Sequence, residues 1–423
     1  MHIDFFSHTF VNTCKSLSYG MKKPERKFVR TLLWTMLEYR TPVLSRLWDV
    51  TKIYACHILK YFSRNLGKTA FDCLPERIFK VLVKFIWKLD TDACFCFDSV
   101  DLNKSSAKKM QGLTKVRDGS TGSIVNGYVC NAASVRGIPL FMDREKLVEI
   151  QEDGSVKTLT TRYDIFETQV KKIVKLFWSG FWILADRLYD DVRKFNLLLA
   201  QGFRFAIRLK TTRYVTILTV KEGEPTLKGK RMLVGELPEG YYEVTFFDLS
   251  RPCFLMVKHK KWCKNPIRVL SSEDDPLMIE QYLKRWEIER IFKSGKQEYD
   301  FEKIGVYTEH KIDILIATIQ LSLGISAYTY NTVAPQHIER KKRKKPWEWR
   351  KWSTEPSITK AVISTLHFRQ QMKQYLKQVS LTFNRNSIIG FIAKYMSKIR
   401  RMKYVQNRVT LNTSITAQLS FPW

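Results

Sequence analysis

Between residues 93 and 210 the apolar residues fall in short runs of strand length, interrupted by amphipathic stretches of helix length, and that alternation restricts the chain to an α/β architecture. DACFCFDS, NGYVCNAAS and IPLFM read as strands, with the glycine-rich DGSTGSIVNG as a turn or loop between the first two. An amphipathic helix at about 160–179, the apolar strand FWILAD, a helix around DDVRKFNLLLAQ and the strand FRFAIRLK follow. Three strands succeeded by alternating helix and strand give a mixed central sheet flanked by helices.

The texture changes on either side of this stretch. Residues 1–92 read as mostly helical, through amphipathic segments such as RKFVRTLLWTMLEY and PERIFKVLVKFIWKL. Residues 211–272 hold several short β-rich pieces, RYVTILTV, YYEVTFFDL and CFLMVKH, and look like an all-β insertion. Residues 273–335 return to helix, ending in the apolar HKIDILIATIQLSLGISAY, which reads as a buried helix. Residues 336–423 form a basic C-terminal region.

Charge narrows the partner. The chain of 423 residues carries a formal net charge of +31, an excess that calls for a polyanion. Residues 336–423 contribute about half of it, with 19 Lys and Arg against 3 acids, and residues 1–92 hold 16 against 8. The run ERKKRKKPWEWRKW interleaves cations with tryptophans, a mixture suited to phosphate contact and stacking as well as to a solvated linker. No run of about 18 uncharged apolar residues is present, and the first residues lack the basic start and apolar core of a signal peptide. The expectation is a soluble protein of the cytoplasm or bacterial nucleoid, with no membrane partner. Eight scattered cysteines without a CxxC pair read as reduced thiols, and Cys253, His259 and Cys263 lack a fourth ligand for zinc.

Two aspartates close strand-like runs: Asp98 after CFCF and Asp186 after WILA. Open sheets place their sites at strand ends, although a lone aspartate there also serves as a cap or turn residue, and Asp101, Asp190 and Asp191 stand nearby. A third acid, Glu289, lies in QYLKRWEIERIFKSGKQEY, where Tyr282, Arg285, Glu289 and Lys296 share one stripe of a single helix at offsets of 0, 3, 7 and 14. The plain alternative is a solvated Glu289 paired with Lys293 four residues on. Gathered at one spot, Asp98, Asp186 and Glu289 would make a hard oxygen set suited to Mg²⁺, or to Mn²⁺ in its place. Two such ions about 3.5–4 Å apart serve phosphodiester hydrolysis, and the basic stripe would then hold the strand being cut.

The pattern Y(2)R(3)E(6)K is met by Tyr282, Arg285, Glu289 and Lys296 with every spacing kept. With ILADRLYDD, and with FDSVDLNK followed by DGSTGSIVNGY, it resembles the YREK-signature group of bacterial insertion-sequence DDE transposases, over about residues 93–310. The resemblance implies a ribonuclease H-like core in two parts, 93–210 and 273–335, around the 211–272 insertion. It implies a catalytic and metal-binding triad of Asp98, Asp186 and Glu289, with Asp101 as the alternative first acid because Ser-Val-Asp follows where many relatives have a nearby threonine. It further implies Mg²⁺-dependent cleavage at transposon ends and attack of the freed 3′-hydroxyl, often through a hairpin. The DNA contacts it suggests are Tyr282, Arg285, Lys293, Lys296 and, as a stacking residue, Trp262. The partners are double-stranded DNA, both terminal inverted repeats and target, and a second copy of the chain in the synaptic complex. By analogy and charge, residues 1–92 would recognise ends and the C-terminal region dimerise or contact DNA.

Two other readings compete. Paired carboxylates also serve glycoside hydrolases, which leaves the charge unexplained, and a decayed or domesticated transposase would bind DNA without cutting it. Counterion release makes the first prediction: DNA affinity, followed by filter binding from about 50 to 200 mM salt, falls by orders of magnitude. A flat dependence would remove nucleic acid as the partner.

Overall fold

A computed structural model describes residues 2–43, 62, 64–89, 94–119, 121–146, 149–150, 156–157, 161–177, 180–260 and 265–342. Among the described residues, α1 (His2–Leu17), α2 (Lys23–Tyr39) and α3 (Leu74–Trp87) precede the sheet, in keeping with the amphipathic spacing of their apolar residues. The strands β1 (Cys94–Asn103), β2 (Thr114–Arg117), β3 (Ile124–Val135) and β4 (Ile138–Arg144) come next, with the two-residue strands β5 (Glu149–Ile150) and β6 (Val156–Lys157) apart from them. Helix α4 (Arg162–Phe177), β7 (Trp182–Ala185), α5 (Val192–Ala200) and β8 (Arg204–Arg208) then alternate as the sequence pattern requires.

The pairing of these strands defines the sheet. Strands β1, β7 and β8 lie parallel and adjacent, while β3 runs antiparallel to β1. The outer edge of β3 is shared by β2 and β4. Beyond β8 come β9 (Tyr214–Glu222), β10 (Arg231–Leu233), β11 (Gly240–Thr245), β12 (Cys253–Lys258) and β13 (Ile267–Ser271). These five occupy the stretch expected to be an insertion, and they do not stand apart. Strand β13 pairs antiparallel with β8, so the sheet continues as β13, β12, β11, β9 and β10 to reach eleven strands. Residues 269–271 and 206–208 carry that junction, a pairing between distant segments that local texture does not encode.

Helices cover both faces. On one face Phe97 of β1 meets Phe166 of α4, ring centroids 5.1 Å apart. On the other, the chain after β13 forms α6 (Met278–Leu283), α7 (Trp286–Glu298) and, past the short 3-10 turn Phe301–Lys303, α8 (Glu309–Lys342). The backbone carbonyl of Lys284, between α6 and α7, accepts from the Cys96 thiol of β1. Segment Glu309–Thr329 of α8 is long and apolar enough to cross a membrane, yet its most apolar window is 94% buried within the protein. It is the core helix. Phe85 of α3 stacks on Tyr328 at 4.4 Å, Gln320 donates to the carbonyls of Pro139 and Leu140 of β4, and Arg144 at the end of β4 donates to Glu309 and Asp313.

Gly127 shows why β3 can be gripped from both sides. It stands opposite Asn103 of β1 and Thr114 of β2, and a Cβ built there would overlap the Leu102 carbonyl oxygen and a Val116 methyl. Only a residue without a side chain allows that approach. Gly127→Ala is therefore expected to cost about 1–3 kcal/mol by overpacking, read as a melting temperature several degrees below wild type. Gly119→Ala, where the added Cβ meets open space, should melt as wild type does.

Candidate active site

Register places the first two acids. Phe97 pairs with Ala185, the last residue of β7, so Asp98 and Asp186 stand side by side where the parallel pair comes apart. Asp98 is not at a strand end as the sequence suggested, because β1 runs on to Asn103 against β3. It lies at the end of β7, which is the end that matters. Side chains alternate along a strand, so Asp98 shares a face with Cys96, towards α6 and α7, while Asp101 shares the α4 face with Phe97. The alternative first acid thus points away from Asp186 and Glu289. Asp190 and Asp191 have other work: Asp190 is buried against Arg213 and accepts from the Lys210 backbone N–H at 2.7 Å, and Asp191 caps α5 by accepting from the Arg193 backbone N–H.

The basic stripe is not one helix. Helix α6 ends at Leu283 and α7 begins at Trp286, and the joint is tightened by i→i+3 bonds: the N–H groups of Lys284, Arg285, Glu287 and Ile288 donate to the carbonyls of Gln281, Tyr282, Lys284 and Arg285. Three-residue turns rotate the chain faster than an α-helix does. Tyr282 and Arg285 are turned inward and buried, at 2% and 4% exposure, rather than presented to solvent.

Arg285 is the centre of the site. Its Nη1 donates to Asp98 Oδ2 at 2.9 Å and its Nη2 to Glu289 Oε1 at 2.7 Å. The Tyr282 ring lies 5.5 Å from the guanidinium, and the Tyr282 hydroxyl donates to Asp186 Oδ1 at 3.2 Å. Arg285 and Tyr282 together therefore touch all three acids. Asp98 Oδ1 accepts from the Ser99 backbone N–H at 2.8 Å. Burial pushes the Asp98 carboxyl up to about 6, and Asp186 and Glu289 push the same way, against Arg285 and the Ser99 N–H. Burial also pushes the Tyr282 hydroxyl up to about 12. Burial opposes the Arg285 charge, but Tyr282 and the three acids outweigh it and hold its pKa above the ordinary value.

The other expected contacts scatter. Lys296 pairs with Glu302 at 2.8 Å, on a turn that buried Lys104 ties to β1 through the carbonyls of Glu302 and Ile304. Lys293 is exposed on α7. Trp262 and the tail from 343 onward lie outside the described residues, as do Cys263 and the end of the 1–92 region. Among the described residues no three His, Cys, Asp or Glu side chains form a group able to hold a metal ion. The guanidinium stands between Asp98 and Glu289 instead.

Sequence reading missed a cleft on the same edge of the sheet. It has a volume of about 660 Å³ and is lined by Lys210, Arg213, Arg231, Tyr214, Phe246 and Phe247, among others. Lys210 follows β8 as Asp186 follows β7, at the same end of the parallel strands, and the cleft runs from there to Arg231 on β10. Phe247 is 85% exposed in its wall, while Arg231 lies over the Tyr214 ring at 5.2 Å. The only local signal was KTTRY after β8, cations beside an aromatic.

Residues 161–325 match the Transposase DDE domain family. The matched span contains Asp186, the α6–α7 joint and Glu289, and β1 with Asp98 precedes it. The match supports a DDE transposase, and the mixed open sheet flanked by helices fits a ribonuclease H-like transposase domain. Transposases of this family act on DNA and generally use divalent metal ions. No curated protein matches the chain.

The raised Asp98 pKa predicts a pH effect. A carboxyl whose folded value, about 6, exceeds its ordinary 3.8 favours folding fully below that ordinary value and loses the contribution as pH rises through 6. Wild type is thus expected to lose stability relative to Asp98→Asn between pH 4 and 6, followed by chemical denaturation at each pH. A constant difference across that range would show that Asp98 titrates as an exposed aspartate.

Proposed function

We propose that the protein is a transposase of the YREK group that cleaves DNA at transposon ends and joins the freed 3′-hydroxyl to target DNA. The observation that carries this reading is that Asp98, beside Asp186 at the parting of β1 and β7, shares one guanidinium with Glu289, while Tyr282 of the preceding helix holds Asp186. Three acids drawn from two strands and a helix make a set with no structural need to converge. The spacing of Tyr282, Arg285, Glu289 and Lys296, which keeps the Y(2)R(3)E(6)K pattern, supports the narrower group.

Asp98, Asp186 and Glu289 would hold the divalent ions. All three offer hard oxygen ligands, and they already surround a positive charge, that of Arg285. When bound, two ions would activate water and stabilise the leaving oxygen of a phosphodiester. The chain's own residues do the rest. Tyr282 holds Asp186 in place, the Ser99 N–H fixes the Asp98 carboxylate, and half-exposed Glu289 has room to turn inward from α7. Arg285, once free of the acids, would grip a phosphate with its planar fork, with exposed Lys293 and, further along α7, Lys296 as additional cations. The cleft that begins at Lys210 would hold flanking DNA, Lys210 and Arg231 meeting phosphates. DNA at two transposon ends would bring two copies of the chain together, at the bacterial nucleoid.

Strand nicking in Mg²⁺ on a duplex carrying the inverted repeats that flank the gene tests the reading. Wild type is expected to nick near the repeat end. Asp98→Asn and Glu289→Gln should each lower the rate by at least about 10²–10³-fold, a loss of the order seen when a key polar group of an active site is removed, and both should still shift the duplex in a gel. Asp101→Asn should nick normally. Nicking by Glu289→Gln at the wild-type rate would reduce α7 to a solvated helix, and DNA binding by wild type without nicking would leave a binding protein only.

A further inference from the structure

We propose that Arg285 is a resident counter-cation that closes the acid site to metal until a DNA phosphate draws it out, so that metal loading depends on DNA. The proposal rests on the function assigned above to Asp98, Asp186 and Glu289.

The geometry makes two uses of the same oxygens exclusive. Asp98 Oδ2 and Glu289 Oε1 accept from the two ends of one guanidinium, at 2.9 and 2.7 Å, and Asp98 Oδ1 is already taken by the Ser99 N–H. A divalent cation placed between these acids would meet a fixed positive charge where it needs ligands. Protonation chemistry offers no way out, since arginine keeps its proton in proteins. The guanidinium has to move.

Movement alone is unfavourable. Arg285 is buried to 5% side-chain exposure, and leaving strands acids without a partner, a costly state for buried charges. Metal binding alone is equally blocked. An exchange satisfies both sides: the ion takes the carboxylates while a phosphate takes the guanidinium, each charge keeping an opposite. Three features prepare that exchange. The Arg285 Nε is buried without a hydrogen-bond partner, so that donor loses nothing on leaving. The Glu289 end of the pair is already open, with 54% of its side chain exposed. And Arg285 stands at the joint of α6 and α7, where three-residue turns replace the continuous helical ladder.

Two ligands that each favour the same rearranged state must strengthen one another's binding equally. The coupling is read without catalysis, by the electron paramagnetic resonance of free Mn²⁺ titrated into the full-length chain, with and without duplex DNA and with the duplex-alone signal subtracted. Wild type without DNA should bind Mn²⁺ weakly, and DNA should tighten it tenfold or more. Arg285→Gln should bind Mn²⁺ at least tenfold tighter than wild type without DNA, and DNA should add little. Arg285→Lys keeps the charge but not the fork, so it frees one acid and should fall between; it replaces the glutamine variant if that fails to fold by circular dichroism. Asp98→Asn separates the two ideas. If Mn²⁺ binding is lost in Asp98→Asn but neither Arg285 variant tightens it, the counter-cation role is overturned and the metal site stands. If no Mn²⁺ binding responds to Asp98→Asn with or without DNA, the metal site itself falls, and this inference with it.

Discussion

The parallel pairing of β1 with β7 is the constraint on which the site depends. Four residue pairs, Cys94–Trp182 to Phe97–Ala185, bring two apolar runs together and stop one residue short of an aspartate on each strand. Apolar burial supplies the driving force, because Phe95, Cys96, Phe97, Ile183, Leu184 and Ala185 are almost wholly inaccessible to solvent. The polar consequence is forced. Two carboxylates are carried to the same edge of the sheet by residues that have no chemistry of their own, and β8 carries Lys210 to that edge by the same means.

Like charges so placed need a partner, and Arg285 is set by the fold to be it. Its approach explains the break between α6 and α7 better than local preference does, since QYLKRWEIER contains neither glycine nor proline. A continuous α-helix would keep Tyr282, Arg285 and Glu289 in one stripe. The tightened joint instead sends Tyr282 to Asp186 and Arg285 to Asp98, while Glu289 stays four residues on and still within reach of the same guanidinium.

Much of this was legible in the sequence where the signal was local. The strands CFCF and WILA with their aspartates, the helix that became α4, the buried helix that became α8 and the spacing from Tyr282 to Lys296 all follow from periodicity or motif. What was not legible depends on distant contacts. Nothing in FDSVDLN announces that β1 continues to Asn103, because that extension is held by Gly127 and its neighbours on β3. The strands of residues 211–272 were read as a unit to themselves, and three residue pairs between β13 and β8 make them part of the main sheet. The helix break follows from a charge 187 residues away in sequence. Lys296 pairs with Glu302 on a turn that buried Lys104 holds, a contact that the spacing from Tyr282 to Lys296 does not announce.

The local charge of the site also bears on how a polyanion reaches it. Three ionised carboxylates facing solvent would repel a phosphodiester, and a net charge of +31, about half of it in residues 336–423, does not cancel a repulsion acting at contact distance. Arg285 places one compensating charge inside the group, and the protonated fraction of Asp98 near pH 6 removes part of another. Lys210, at the same end of the parallel strands as Asp186, adds positive charge there. On the proposed function, the group at the acids themselves that a phosphate could recruit is the guanidinium that masks Asp98 and Glu289.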